Sequence, residues 1–363
     1  MYKPKFQITN NLLTYVTRIE SAKAVIDNSP LVPAWEAKFR SDASLRTIHY
    51  GTKIEGNELT KEQAHQVVSL EGYVDSKDAA QKTGILARDR DIQEVLNYRN
   101  VMMWIDQQDA LNSQGLFSQK TLKTLHSLTL QKLFDDKYIG EFRDKQVVVK
   151  SATDGQIVFR PPVSFEIPFL VEEFFAWLNS PESASLHPIF KAAIIHYQFV
   201  FIHPFIEGNG RTARAMATLS LYNSGYDFKR FFSIEQYFDS DVERYYQALL
   251  SVQQNGDKDL TYWLEYFTYG LALEIDKVKH QVMKLSKDLK LKRELGSQVA
   301  LSERQIILLE LVNNQGQITS SDAQRVLPNI SVDTILRDLK DLINKGVIKK
   351  KGVTKGVRYE LAE

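Results

Sequence analysis

The chain has 363 residues, 43% of them hydrophobic and 25% charged, with a formal net charge of +1 at pH 7. These proportions suit an ordinary globular protein of two or three domains, and the balanced charge leaves any nucleic-acid or membrane affinity to local patches. No cysteine is present, which excludes disulfides, thiolate metal sites and cysteine nucleophiles.

The first twenty residues, MYKPKFQITNNLLTYVTRIE, lack the unbroken apolar core of a secretory signal. No stretch approaches the ~18 consecutive apolar residues of a membrane span. A cytoplasmic protein with no membrane partner is expected. Residues 1 to about 110 alternate helical periodicity with short breaks. LTKEQAHQVVSLEG reads as a short helix capped by Thr60, with Glu62 near its start and an end before Gly72. DIQEVLNYRNVMMWIDQQ is predicted as an amphipathic helix burying Ile92, Val95, Leu96 and Val101 to Trp104. SQKTLKTLHSLTLQKL is a further helix. GEFRDKQVVVKSATDGQIVFRPP then holds two β-rich runs around Asp154-Gly155, a hairpin turn signal, closed by Pro161-Pro162.

Helices resume with FEIPFLVEEFFAWLNS, HPIFKAAIIHYQFVFI and RTARAMATLSLYNSG, followed by SDVERYYQALLSVQQNG and a long segment from Leu260 to Leu295. Its basic half (Lys277, Lys279, Lys284, Lys287, Lys290, Lys292, Arg293) reads as a solvated connector. After Gly296 the order is helix, short helix, longer helix, then two short β runs around Gly352 to Gly356. That is a winged-helix arrangement with SVDTILRDLKDLINKG as recognition helix. The expected fold is mainly α: a helical N-terminal region (1–110), a helical core with a β-hairpin flap (111–275), a helical linker (276–300) and a winged helix-turn-helix domain (301–363).

The chemistry concentrates in IHPFIEGNGRTAR, residues 202–214. Pro204 disfavours αR at His203, so the preceding helix should end there and leave the imidazole at a loop mouth. Gly208 and Gly210 allow positive φ and Asn209 tolerates it, so successive N–H groups can converge on an anion. Arg211 and Arg214 lie in the first turn of the next helix, whose N-terminus also favours an anion, and guanidinium forks match phosphate oxygens. Glu207 beside this cradle suits Mg²⁺. The parts describe a polyphosphate–Mg²⁺ site with a histidine base. It is not a P-loop, because no Lys-Ser or Lys-Thr follows the glycines.

HPFIEGNGR with Arg214 resembles the signature of Fic-domain proteins, His-Pro-Phe-x-Asp/Glu-Gly-Asn-Gly-Arg-x-x-Arg, and matches every specified position. GEFRDKQVVV and FRPP resemble the family's flap segment, and HYQFVFIHPF its central helix; the likeness spans residues 40 to 275. It implies adenylylation (AMPylation), transfer of AMP from ATP to a protein hydroxyl. His203 would take the proton of a target Tyr, Thr or Ser, and Phe205 would pack in the core. Glu207 would hold Mg²⁺ and Asn209 would position the α-phosphate. Gly208, Gly210 and Arg211 would bind the β- and γ-phosphates, and a flap at 147–159 would align the target by strand addition. HYGTKIEGNELT, residues 49–60, resembles the family's inhibitory motif Ser/Thr-x-x-x-Glu-Gly/Asn. Glu55 would then deny Arg214 to the γ-phosphate. Gly51 stands where Ser or Thr is expected and Thr52 comes one place late, which implies a leaky lock. SIEQYFDSDVERYYQALL resembles the adenine-lining segment, with Tyr245 and Tyr246 as candidates.

Expected partners are ATP, Mg²⁺ and a target protein (the chain itself included), with a homodimer as a further assembly. The winged helix adds DNA or protein contact through Arg337, Lys340 and Lys350. Two alternatives use the same residues: removal of AMP from a modified protein, and a DNA-binding regulator with the core as nucleotide sensor. Nothing in the phosphate cradle reads the base, so another nucleotide donor also fits.

Overall fold

The computed structural model describes residues 2–362 except Glu71, Tyr73, 109–114, 151–154, 295–300, Asn329 and 353–356, and backbone alone at Ala34, Asn314 and 287–294. The chain divides into two compact units, Met1–Ser29 with Trp35–Met283, and Pro30–Ala34 with Lys284–Glu363. The protein is mainly helical, with two small antiparallel sheets among the described residues.

In the first unit α1 (Asn10–Asn28) is capped by Thr9, whose hydroxyl accepts from Leu12 N, and α2 (Pro33–Lys53) opens on a proline. α3 (Lys61–Val68) has a capping box made by Thr60 and Gln63, so Gln63 supplies the reciprocal bond at this end. α4 (Ser76–Thr83), which the pattern did not separate, is capped by Asp75 and closed by left-handed Gly84. α5 (Asp89–Asp106) and α6 (Gln119–Leu130) pack together. α5 corrects the amphipathic expectation: Met103 is 52% exposed, whereas Asp91, Glu94 and Asn97 are buried.

β1 (Val149–Lys150) and β2 (Ile157–Phe159) pair antiparallel, Val149 opposite Phe159. Then come α7 (Ile167–Leu178), the short α8 (Pro181–Ala184), and the central pair α9 (Pro188–Ile202) and α10 (Asn209–Asn223). α9 is mostly apolar and largely buried, and α10 packs on α9, α6 and α5. α11 (Ile234–Ser240), α12 (Val242–Gln254) and α13 (Thr261–Glu294) complete the series. Trp263 of α13 donates to Ala193 O at 2.8 Å, anchoring α9 from behind.

The second unit contains α14 (Glu303–Gln315), β3 (Gln317–Ile318), α15 (Ser320–Val326), α16 (Val332–Asn344), β4 (Ile348–Lys351) and β5 (Arg358–Leu361). Its sheet has the order β3-β5-β4, so a third strand joins the two expected ones. Leu308, Val312, Ile335, Leu339 and Leu342 fill its core. Asp154, Lys355, Gly296 and the side chains of Lys287, Lys290, Lys292 and Arg293 fall outside the described residues. No helix among the described residues is long and apolar enough to cross a membrane.

Candidate functional site

The site is the six-residue loop between α9 and α10 with the side chains that close on it. His203 ends α9 in a left-handed conformation (φ 52°, ψ 58°), its N–H bonded to Phe199 O. Its Nδ1 lies 3.2 Å from Val200 O. A carbonyl only accepts, so Nδ1 carries the proton and Nε2 the lone pair. Burial, partly opposed by the Val200 carbonyl, pushes the imidazole pKa down to about 4, so the ring is neutral at neutral pH.

The loop is braced on several sides. Phe205 is fully buried and stacks on His126 at 3.6 Å. His126 Nδ1 accepts from Gly140 N–H and its Nε2–H donates to Glu207 O at 3.0 Å. Arg143 donates to His203 O at 2.8 Å, to Lys145 O at 3.0 Å and to Pro162 O, tying the base of the hairpin to the loop. Gly208 takes φ +75°, which the turn into α10 requires. Asn209 Oδ1 accepts from Phe205 N and its Nδ2 donates to Phe205 O, each at 2.9 Å. The Asn209 side chain thus shapes the loop through the Phe205 backbone, with its second Nδ2–H not used by these bonds.

Arg211 and Arg214 are both 1% exposed. Arg211 has carboxylates on two sides, Glu94 at 3.3 Å and Glu207 at 3.6 Å, at ion-pair distance. Its Nε, Nη1 and Nη2 nevertheless have no hydrogen-bond partner among the described residues. Buried donors left in this way fit an anionic ligand. Arg214 differs. Its Nη2 donates to Glu55 Oε1 and to Gly51 O, each at 2.8 Å. Burial opposes ionisation of Glu55, but Arg214, with Arg211 behind it, outweighs burial and holds the carboxyl below its usual range. A Cβ on Gly210 would lie 2.5 Å from Glu55 Oε1, so glycine there admits the carboxylate.

Gly51 proves to be a packing requirement, since a Cβ would meet Tyr98 Cε1 at 2.5 Å. The neighbouring Thr52 hydroxyl bonds back to Ile48 O and His49 O at 3.0 Å each, within the last turn of α2. Tyr245 is corrected to a core residue: it is 1% exposed, stacks on Phe238 and bonds His196 Nε2 at 2.9 Å. Tyr246 is 41% exposed, with its hydroxyl 3.4 Å from Ile54 O near the end of α2. In the second unit Arg337, Lys340 and Lys350 are exposed, as are Val332 and Leu336. Glu94, His126 and Arg143 escaped sequence reading; only the GEFR segment carried a signal, and it was read as part of the flap.

The Fic/DOC family matches residues 116–221, and a DeoR-like helix-turn-helix domain matches residues 304–352. Two curated relatives named "Protein adenylyltransferase Fic", from Drosophila mojavensis and Drosophila virilis, are 34% and 33% identical over 187 residues, 52% of this chain. That is 33% and 34% of their own length, so the chain spans about a third of the curated relatives it matches. A Fic family protein from Desulfovibrio desulfuricans G20 superposes with a TM-score of 0.64 at 23% identity, covering 99% of this chain and 98% of that one. A Fic domain containing signaling protein from Bacteroides thetaiotaomicron VPI-5482 gives 0.59 at 21% identity, covering 77% and 97%. These two likenesses speak for the fold. The chain therefore contains a Fic/DOC-family domain, residues 116–221, followed by a DeoR-like helix-turn-helix domain, residues 304–352.

Proposed function

We propose that this protein transfers AMP from ATP to a hydroxyl group on a protein, and that Glu55 restrains the reaction. One juxtaposition carries the reading. A neutral histidine with its Nε2 lone pair opens the loop, and two buried arginines stand in the first turns of the helix that follows it: Arg211 with all three nitrogens unsatisfied among the described residues, and Arg214 with its Nη2 capped by a carboxylate.

In this reading His203 Nε2 takes the proton of the incoming hydroxyl. Its oxygen bonds the α-phosphorus while the bond from that phosphorus to the bridging oxygen breaks, and pyrophosphate leaves. Arg211 and the first N–H groups of α10, which have no intrahelical partner, hold the phosphates and meet the growing negative charge. Glu207, whose side chain is 40% exposed, would hold Mg²⁺, an ion that takes one or two carboxylates plus substrate phosphates and supplies charge neutralisation. The exposed Ile157 and Val158 of β2 suit strand addition by a target segment. Tyr246 is the candidate for nucleobase contact. Glu55 occupies an Arg214 donor and opposes a γ-phosphate by charge, leaving the α-phosphorus misaligned.

The test is the initial rate of labelled-AMP incorporation by wild type, Glu55→Gly and Glu55→Gly/His203→Ala. Glu55→Gly is expected to be faster by up to ~10²-fold, the scale of a 1 Å misplacement. Loss of His203 should then remove ~10²–10⁴-fold. An unchanged Glu55→Gly rate rejects the restraint, and a gain that survives His203→Ala rejects the base. A second activity, DNA contact by the C-terminal domain, is favoured by the helix-turn-helix match together with exposed Arg337, Lys340 and Lys350.

A further inference from the structure

Four charged side chains alternate in a closed ring beside the phosphate loop. Glu94 Oε1 lies 3.3 Å from Arg211 Nη1 and 3.1 Å from Arg90 Nε. Glu207 Oε1 lies 3.6 Å from Arg211 Nη2 and 3.9 Å from Arg90 Nη2. Arg211 and Glu94 form the buried half, at 1% and 3% side-chain exposure; Arg90 and Glu207 form the solvent half, at 62% and 40%. Glu94 belongs to α5, over a hundred residues before the loop. Its second oxygen, Oε2, accepts from Asn57 Nδ2 at 3.0 Å. Asn57 also donates to Asp91 O at 2.9 Å and accepts from Leu59 N at 3.1 Å, so its amide is fixed at both ends. Asn57 stands two residues beyond Glu55.

We infer that Glu94 is a positioning residue for Arg211, and that Asn57 fixes the Glu94 carboxylate, so the segment carrying Glu55 and the guanidinium facing ATP belong to one network. The inference rests on the proposed AMP transfer. A buried guanidinium needs a counter-charge. An ordinary structural pair would supply it through closed hydrogen bonds, as Glu55 does to Arg214 at 2.8 Å. Glu94 sits at ion-pair distance from Arg211 without closing one, and the Arg211 donors stay unsatisfied among the described residues. The charge is compensated and the long side chain directed, while the fork stays open for phosphate oxygens. Asn57 makes this arrangement depend on the α2–α3 connection, because removing its bond frees the carboxylate to turn.

The experiment uses the full chain in the Glu55→Gly background, where Arg214 is uncapped. Affinity for α,β-methylene-ATP with Mg²⁺, which cannot release AMP, is measured by calorimetry, and ATP KM and kcat are measured separately. Glu94→Gln is expected to raise Kd and KM together by about tenfold, the lower end for loss of a residue that orients a ligand-binding group, with kcat little changed. Glu94→Asp should recover part of the loss. Asn57→Ala should shift Kd in the same direction by less, and the double variant should be no worse than Glu94→Gln alone, because both act through one carboxylate. Unchanged Kd in Glu94→Gln overturns the inference, and strict additivity of the two losses overturns the Asn57 link. Should Glu94→Gln fail to fold, Asn57→Ala decides: unchanged Kd there counts against the network. No nucleotide binding by Glu55→Gly itself overturns the proposed function and this inference together, whereas binding there with no effect of Glu94 overturns only the inference.

Discussion

As the proposed base, His203 meets two demands that usually conflict. A general base must be unprotonated at working pH, yet it sits among arginines and main-chain dipoles inside a folded site. Burial, with Arg143 adding to it, lowers its pKa to about 4. AMP transfer is therefore expected to stay level as pH is lowered from 7.5 to about 5, instead of halving near the ordinary histidine value of about 6.5. Initial rates across that range decide, and a midpoint near 6.5 would show a solvated ring. The fold carries the opposite liability. His126, lowered by burial to about 4, shares this property. The unfolded chain takes up protons near pH 6.5 that these two rings refuse until about 4, so the stability they lend is present above 6.5 and declines as pH falls, by up to ~1.4 kcal/mol per unit for each. Urea unfolding at pH 7.5 and pH 5 measures it; equal midpoints count against the assignment.

At the scale of the element, the last turn of α2 and the residues just after it close on Arg214 around a missing side chain. Gly51 lies against Tyr98 and offers its carbonyl to Arg214, while Glu55 one turn on takes the same guanidinium nitrogen. Gly51→Ala must push this turn away from Tyr98, at ~1–3 kcal/mol for overpacking. It is expected to lower Tm and raise basal AMP transfer together. A variant that melts lower with an unchanged rate would separate the packing from the restraint. The sequence read this contact with Arg214 only halfway. Glu55 was legible because its motif is local, whereas Gly51 looked like a defect because its reason, Tyr98, lies on another helix. The loop was legible because Pro204, Gly208 and Gly210 act on their own backbone. Tyr245 and Glu94 were misread or passed over for the same cause: a tyrosine or glutamate at helical spacing reveals nothing about which face the other helices cover. β3 escaped because two residues, Gln317 and Ile318, make no periodic pattern.

For the whole molecule, every side chain placed in the proposed reaction belongs to the unit ending at Met283. Removing residues 297–363 should therefore leave self-modification by the Glu55→Gly variant within about twofold, since surface-remote deletions and distant sites act nearly independently. Loss of nucleotide binding in the soluble truncated protein would contradict that division. The C-terminal unit makes a separate prediction. If Arg337, Lys340 and Lys350 meet DNA phosphates, replacing any one by Ala should weaken binding and reduce the slope of log K against log salt by roughly one. A steady slope across all three variants would point instead to the exposed Val332 and Leu336 and a protein partner.

The clasp between Asn209 and Phe205 bears on how this protein ages. Asn209-Gly210 is the dipeptide most open to deamidation, because an unhindered glycine nitrogen can attack the asparagine side-chain carbonyl and close a succinimide. In the folded chain that carbonyl and its amide are both bonded to Phe205, and Gly210 N is held in the first turn of α10. The native loop thus protects its own most labile bond. Each passage through the unfolded state exposes it, and the product would place a carboxylate in the loop proposed to bind an anion. Samples stored cold and folded should keep Asn209 intact while repeated heating accumulates isoaspartate there and removes function irreversibly; the exposed Asn255-Gly256 pair should deamidate in both.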